Sequence, residues 1–315
     1  MKVRLGYVAV SKSLDGITSS STLNYTNYLK TENKLKKLNN VILSNLEDLE
    51  KIIYYNIKNN IHFFRITSAL IPLSTHKEVK FDYITPFKEH YDQIAKMIKE
   101  ADMRVDFHPG EYMILNSTRD EVLENTREIL LYHYRLLKAF QIKNPLLVTH
   151  VGSNAFGKKA SLGRLKNQFY LLPREVQSVL ALENDDKVFN VEDLLPIVQE
   201  LKIPLILDYH HHLCNPTINP IQNYLPDILK SWNGRVPKMH FSSPKNKTKK
   251  EMRSHHDYID SDSFIVFLKV IEPYFKQVDI MIEAKMKDEA MFRLIRELKY
   301  RTSYRFIDET TFETN

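Results

Sequence analysis

Eight times along this chain, a short apolar run of strand character gives way to a longer stretch whose apolar residues recur at helical spacing. The short runs are Val3–Val10, Ile61–Thr67, Arg104–His108, Leu146–His150, Val179–Glu183, Pro204–Tyr209, Lys238–Ser242 and Val278–Ala284. Helices are predicted over Glu32–Lys58, Pro86–Glu100, Arg119–Phe140, Ser161–Leu172, Val191–Leu201, Ile221–Lys230, Asp262–Phe275 and Asp288–Lys299. In the first of these, Leu35, Leu38, Ile42, Leu46, Leu49 and Ile53 mark the buried stripe, and Pro86 suits the first turn of the second. Strand–helix alternation implies a parallel sheet with right-handed crossovers. Eight units in 315 residues predict an α/β fold closed into a (β/α)8 TIM barrel. An open doubly wound sheet is the alternative, but no glycine-rich phosphate turn follows the first run. With only 7 glycines and no Gly/Ser- or Pro-rich linker, residues 1–315 are expected to form one domain. The tail Arg301–Asn315 receives no assigned element.

The ends of the runs carry the chemistry. The segment Pro204–His212 reads P-L-I-L-D-Y-H-H-H, an apolar strand ending in an aspartate and three histidines. Burying such groups unpaired costs several kcal/mol. A divalent metal at the strand mouth accounts for both, since carboxylate oxygen and imidazole nitrogen are common ligands. A His-rich surface turn is the alternative for that segment alone, but the pattern recurs. His76 lies in the loop after the second run, and His108 and His150 end the third and fourth. Glu183 ends the fifth, and Asp208 with His211 follow the sixth. Lys238 and His240 lie in the seventh, His255 and His256 in its loop, and Glu283 ends the eighth. In a parallel barrel these termini converge on one face. So many ligands exceed what one ion needs, which implies two or three ions. Imidazole and carboxylate without thiolate fit Mn²⁺, Zn²⁺ or a di-iron site, and Cys214 is expected to pack rather than ligate. Adjacent metals activate water and clamp the attacking and leaving oxygens of a phosphoryl displacement, so the ligand count favours phosphodiester hydrolysis over sugar proton abstraction.

Composition narrows the setting. The single cysteine excludes an internal disulfide framework, and no run of 18 apolar residues or signal-peptide pattern is present. A soluble cytoplasmic protein is expected. The net charge of +6 and a pI near 9.0 lean weakly toward polyanions. Lys245, Lys247, Lys249, Lys250 and Arg253 follow the seventh run, and Lys158, Lys159, Arg164 and Lys166 the fourth. Such groups hold phosphate without reading sequence. Tyr7, Tyr112, Phe156 and Tyr209 are aromatics near the same face. After the tight Pro109-Gly110 turn, Tyr112 is suited either to stack on an unpaired base or to close its loop onto the barrel.

In order, L-G-Y, R-I-T-S-A-L-I-P, F-H-P-G-E-Y, T-H-V-G, L-E-N-D, L-D-Y-H-H-H, K-M-H-F-S, H-D-Y-I and M-I-E-A-K-M-K-D resemble the UV damage endonuclease family over about Leu5–Asp288. The resemblance implies a TIM barrel with three metals, usually manganese, although Zn²⁺, Mg²⁺ or Co²⁺ also suit the ligands. It implies nicking of double-stranded DNA immediately 5′ to pyrimidine dimers and 6-4 photoproducts, and at some abasic sites, leaving 3′-hydroxyl and 5′-phosphate ends. By motif, it makes His76, His108, His150, Glu183, Asp208, His211, His240, His255 and Glu283 the metal ligands. It selects His211 from the triplet and His255 over His256. Lys238, Glu183 and Asp208 are expected to carry catalysis, with Lys238 neutral, carboxylated or turned toward a phosphate beside the cations. Tyr7, Glu111 and Tyr112 are implied to probe the lesion, and Lys245, Lys247 and Arg253 to hold the duplex. The family's usual pair after His-Pro-Gly is Gln-Tyr. Glu111 lacks the amide donor and repels phosphate, which weakens or narrows the expected lesion recognition. A monomer without a protein partner is expected. The alternatives are an abasic-site endonuclease of the endonuclease IV type, a sugar isomerase or epimerase, and a non-catalytic metal-dependent DNA-binding module.

Overall fold

The structure, a computed structural model, describes residues 1–110, 113–246, 248 and 251–314. Its elements run β1 (Lys2–Ala9), α1 (Tyr25–Lys30), α2 (Lys34–Lys58), β2 (Phe63–Ile66), α3 (Lys88–Glu100), β3 (Arg104–Phe107) and α4 (Asp120–Ala139). There follow β4 (Leu147–Thr149), α5 (Lys158–Tyr170), α6 (Arg174–Gln177), β5 (Leu180–Glu183), α7 (Val191–Leu201), β6 (Leu205–Asp208), α8 (Tyr209–Cys214) and α9 (Leu225–Ser231). The chain ends with β7 (Lys238–Phe241), α10 (Ser261–Ile271), β8 (Gln277–Ile282), α11 (Lys287–Arg301), β9 (Arg305–Phe306) and β10 (Thr311–Glu313). Strands β1 to β8 pair in parallel in sequence order. The circle closes because β1 pairs with β8 along its first half and with β2 along its second. This is the closed (β/α)8 barrel that the alternation predicts.

Closure explains the glycine of L-G-Y. A Cβ on Gly6 would lie 2.3 Å from the carbonyl oxygen of Phe63, so only glycine lets β2 approach β1 this closely. It also explains the tail. β2 covers only the second half of the longer β1, and the exposed first half is a strand edge that needs a partner. β10 supplies it antiparallel, with Lys2 opposite Glu313 and Arg4 opposite Thr311, and β9 pairs with β10 in turn.

Side chains alternate across each strand. On β1, Val3, Leu5 and Tyr7 face the helices and are fully buried. There they join the principal core with the α2 stripe of Leu38, Ile42, Leu46, Leu49 and Ile53. This corrects one expectation. The Tyr7 hydroxyl donates to Asn56 Oδ1 on α2 at 2.7 Å, and its ring packs 5.0 Å from that of Phe64. Tyr7 therefore belongs to the barrel wall and cannot reach DNA.

The inward faces divide into an apolar part and an ionic part. Leu146, Val148, Ala181, Ile206 and Trp232 form a separate apolar cluster. Against it, with the Arg104 guanidinium 5.4 Å from the Trp232 ring centroid, Arg4 and Arg104 both bind Asp279, at 2.6 and 2.8 Å, and Lys238 donates to Asp106 Oδ2 at 2.6 Å. Barrel interiors are ordinarily filled by branched apolar side chains. Here ion pairs form the floor beneath the strand ends.

Candidate metal centre

Glu183 and Asp208 are the last residues of adjacent strands β5 and β6, and both are buried. Asp208 is also the N-cap of α8, its Oδ1 accepting from the backbone N–H of His211 at 2.7 Å. That single helical turn sorts the histidine triplet, because successive side chains fan out by about 100° and only the i+3 position returns above the cap. His211 accordingly faces the two carboxylates, with Nδ1 3.5 Å from Glu183 and 3.7 Å from Asp208. His210 is buried with its Nε2 3.9 Å from Cys214 Sγ, and the His212 ring lies 6.0 Å from that of Tyr209. Neither faces the carboxylates.

Glu183 is the hub. Its Oε2 lies 3.0 Å from His108 Nε2 and its Oε1 accepts from His240 Nδ1 at 2.9 Å, while His150 Nε2 stands 3.7 Å away. Three sets of candidate ligand atoms result, with the atoms of each within 4.8 Å of one another: His108–His150–Glu183, Glu183–Asp208–His211 and Asp208–His240–Glu283. The first two share Glu183, and the last two share Asp208. Asp208 Oδ2 and His150 Nδ1 are buried with no hydrogen-bond partner, a cost of about 1–3 kcal/mol for each such group. Cations would satisfy the unpaired carboxylate oxygen. The histidines are also braced from behind. His108 Nδ1 faces the Pro109 carbonyl at 3.0 Å and His211 Nδ1 the Asn184 carbonyl at 2.9 Å. The His108 contact favours a proton on Nδ1 and leaves Nε2, the atom facing Glu183, for a metal. The residues therefore fit divalent cations.

The charges are mutually tuned. Burial opposes ionisation of Glu183, but the imidazoles of His240, His150 and His108 outweigh it and hold the carboxyl well below its usual range. Burial likewise opposes charge on His211, but Asp208, Glu183 and Glu283 lift its pKa to about 9. The metal-free protein thus keeps His211 protonated at neutral pH, and a metal must displace that proton. Metal affinity is expected to rise with pH through the neutral range and to level off above about pH 9. Calorimetric titration in buffers of different ionisation heat should show proton release on binding at pH 7, reduced in His211→Asn. Release unchanged in that variant would assign the proton elsewhere.

The model of the UV-endonuclease UvdE family matches residues 3–312. The chain belongs to the UV-endonuclease UvdE family. A UV DNA damage endonuclease of Bacillus mycoides is 36% identical over 99% of this chain and 100% of its own length, and one of Bacillus cereus is equally similar. The crystal structure of SacUVDE superposes with a TM-score of 0.86 at 32% identity, over 95% of this chain and 98% of that one. Endonuclease IV from Thermus thermophilus, at 13% identity over 94% of this chain and 98% of its own, has a TM-score of 0.60 and shares the fold.

Of the nine ligands expected from the motif resemblance, seven fall in the three candidate sets. His255 stands at their edge, with Nδ1 4.0 Å from Glu283 Oε2, whereas His256 Nδ1 accepts from the Tyr258 backbone at 3.0 Å. His76 joins none of the sets. It stacks on Tyr25 of α1 with ring centroids 4.1 Å apart, and its Nδ1 accepts from the Glu78 backbone at 3.2 Å. Lys238 points away from the mouth into the ionic floor, fully buried against Asp106, where burial pushes its pKa down to about 7. Lys245 pairs with Glu251 at 2.7 Å and Arg253 with Asp186. Arg164 does not face outward toward phosphate. It donates to the carbonyls of Asn116 and Ala155 at 2.9 and 2.6 Å and serves as a strut. Glu111, Tyr112 and Lys247 lie outside the described residues.

Two functional candidates escaped the sequence reading. Arg65 donates through NH1 to Glu283 Oε1 at 2.6 Å and through NH2 to His240 Nε2 at 2.7 Å, and Asp106 lies 3.8 Å from its Nε. The signal was available: Arg65 is the one charge in the strand F-F-R-I, and Asp106 is a buried charge in the strand R-V-D-F.

Proposed function

We propose that this protein is a DNA repair endonuclease that hydrolyses the phosphodiester bond immediately 5′ to UV photoproducts, and at some abasic sites, with three divalent ions, best manganese. The single observation that carries this reading is the chain of three ligand sets joined by shared carboxylates, in a member of the UvdE family. His108, His150, Glu183, Asp208, His211, His240 and Glu283 would hold the ions, with His255 and His76 completing the rim. Bound cations supply Lewis acidity, stabilising charge on phosphoryl oxygens and lowering the pKa of water.

The residues of the chain do the rest. Glu183 and Asp208 each belong to two ligand sets and would each help to hold two ions. Lys245 and Arg253 exchange their carboxylate partners for backbone phosphates, a cheap exchange because exposed ion pairs contribute only about 0–1 kcal/mol. Glu111 and Tyr112 fill the gap left by the turned-out lesion, and turning it out is least costly where stacking is already broken. Lys238 sets the field of the floor through Asp106 and positions the catalytic groups above it.

The test is a duplex carrying one site-specific cyclobutane dimer, incubated with Mn²⁺ beside an undamaged duplex and an abasic-site duplex. A metal-dependent cut just 5′ to the dimer, lost in His240→Ala, is the expected result. A cut at the abasic site alone would favour the endonuclease IV type of activity. No cut by a metal-loaded protein would end the nuclease reading.

A further inference from the structure

Phe156 is 84% exposed, and no other phenylalanine among the described residues is exposed. It lies in the loop between β4 and α5, six residues beyond His150. Its φ is +65°, and that of the following Gly157 is +85°. A bulky residue rarely adopts the left-handed region, and when held there it signals a constraint imposed by its surroundings. Left-handed conformation and solvent exposure both work against folding, so this ring is displayed against the preferences of its own backbone.

The display is built by its neighbours. Asn116 clamps the loop through both side-chain atoms, with Oδ1 accepting from Ser153 N–H at 2.8 Å and Nδ2 donating to the Ser153 carbonyl at 2.6 Å. Arg164 and Ser161 both donate to the Ala155 carbonyl, at 2.6 and 3.2 Å. The Arg164 guanidinium lies 5.9 Å from the Phe156 ring centroid and supports it from one side. Gly152, with φ of +101°, packs so tightly that a Cβ would meet Ile114 at 2.8 Å and Asn116 at 2.9 Å. Gly152, Ser153 and Ala155 are anchored while the ring is left in water. Asn116 belongs to the loop after β3, so the Phe156 loop is tied through Ser153 to residue 116 of that loop. Lys158 and Lys159 follow at the start of α5, the first paired with Asp193 at 2.6 Å, an ion pair that a polyanion at this rim could exchange cheaply.

We infer that Phe156 is a second stacking element of the mouth, whose ring takes an unstacked nucleobase of a deformed DNA duplex. The inference rests on the nuclease reading for its partner, and it adds a contact separate from the Glu111–Tyr112 pair. A rigid, exposed ring suits this task because base–aromatic stacking is tolerant of sequence and loses little side-chain entropy.

The experiment compares wild type with Phe156→Gly, Phe156→Ala and Phe156→Trp on a dimer-containing duplex with 2-aminopurine next to the lesion. Binding is read in Ca²⁺ by anisotropy and by 2-aminopurine fluorescence, nicking is read in Mn²⁺, and melting and metal content are read on each variant. Phe156→Gly is expected to melt at or above wild type, since it removes the left-handed strain, and to keep its full metal content. Both Phe156→Gly and Phe156→Ala should bind the lesion duplex about 10-fold more weakly and lose the fluorescence response, whereas Phe156→Trp should retain both. Wild-type affinity and response in Phe156→Gly would overturn the inference. Absence of nicking by wild type would instead sink the nuclease reading, and the binding arm would still decide the role of Phe156.

Discussion

Glu183→Gln is expected to lower nicking of dimer-containing DNA at least about a thousandfold, which is roughly 4 kcal/mol of lost transition-state stabilisation. Glu183 serves two of the three ligand sets, so a neutral amide weakens two ions at once. It also presents an N–H₂ where His108 and His240 now direct their nitrogens, at 3.0 and 2.9 Å. Metal content after dialysis should therefore fall together with activity, whereas a residue acting only on DNA would leave it unchanged. Full metal content with full loss of activity would show that Glu183 contacts the reacting groups and is not a bridging ligand. Full activity would remove it from the site altogether.

Arg65→Met should produce the opposite pattern, a protein less stable without metal and tighter in binding it. A guanidinium can only donate. His240 Nε2 must therefore accept from Arg65, while Nδ1 carries the proton that Glu183 accepts. Nδ1 is also the atom nearest the carboxylates of its set, 3.4 Å from Glu283 and 4.0 Å from Asp208. A cation taking the Nδ1 lone pair displaces that proton, and with it the tautomer that accepts from Arg65. Arg65 is thus the resident countercharge of the metal-free centre and a competitor of the ion in the third set. Its removal leaves Glu283 without its guanidinium partner, a loss on the order of 3–5 kcal/mol for a broken buried pair. Divalent affinity should rise at least about tenfold, equivalent to 1.4 kcal/mol. Melting curves with and without Mn²⁺, alongside a metal titration, distinguish the two effects. Unchanged affinity in a destabilised protein would make Arg65 purely structural.

The sequence by itself determined the eight-unit barrel and the series of ligands at its strand ends. Both depend on local spacing: strand and helix periods declare the elements, and parallel connection brings every C-terminal end to one face. Thus Glu183, Asp208 and His240 were legible as ends or near-ends of apolar runs. The motif resemblance separated His211 from its neighbours, a choice that the single turn of α8 explains. What only the tertiary structure decided depends on register around a closed sheet. Closure turned Tyr7 outward onto Asn56, set Lys238 against Asp106 one layer below the mouth, and brought Arg65 onto Glu283 and His240. It left His76 stacked on Tyr25, outside the three sets, and gave the tail a strand edge on which to form β10. The display of Phe156 likewise depends on Asn116 and Arg164, 40 and 8 residues away in the chain. Local patterns specify which residues reach the mouth. Which of them meet is decided by contacts between distant segments, whose geometry exists only once the barrel is closed.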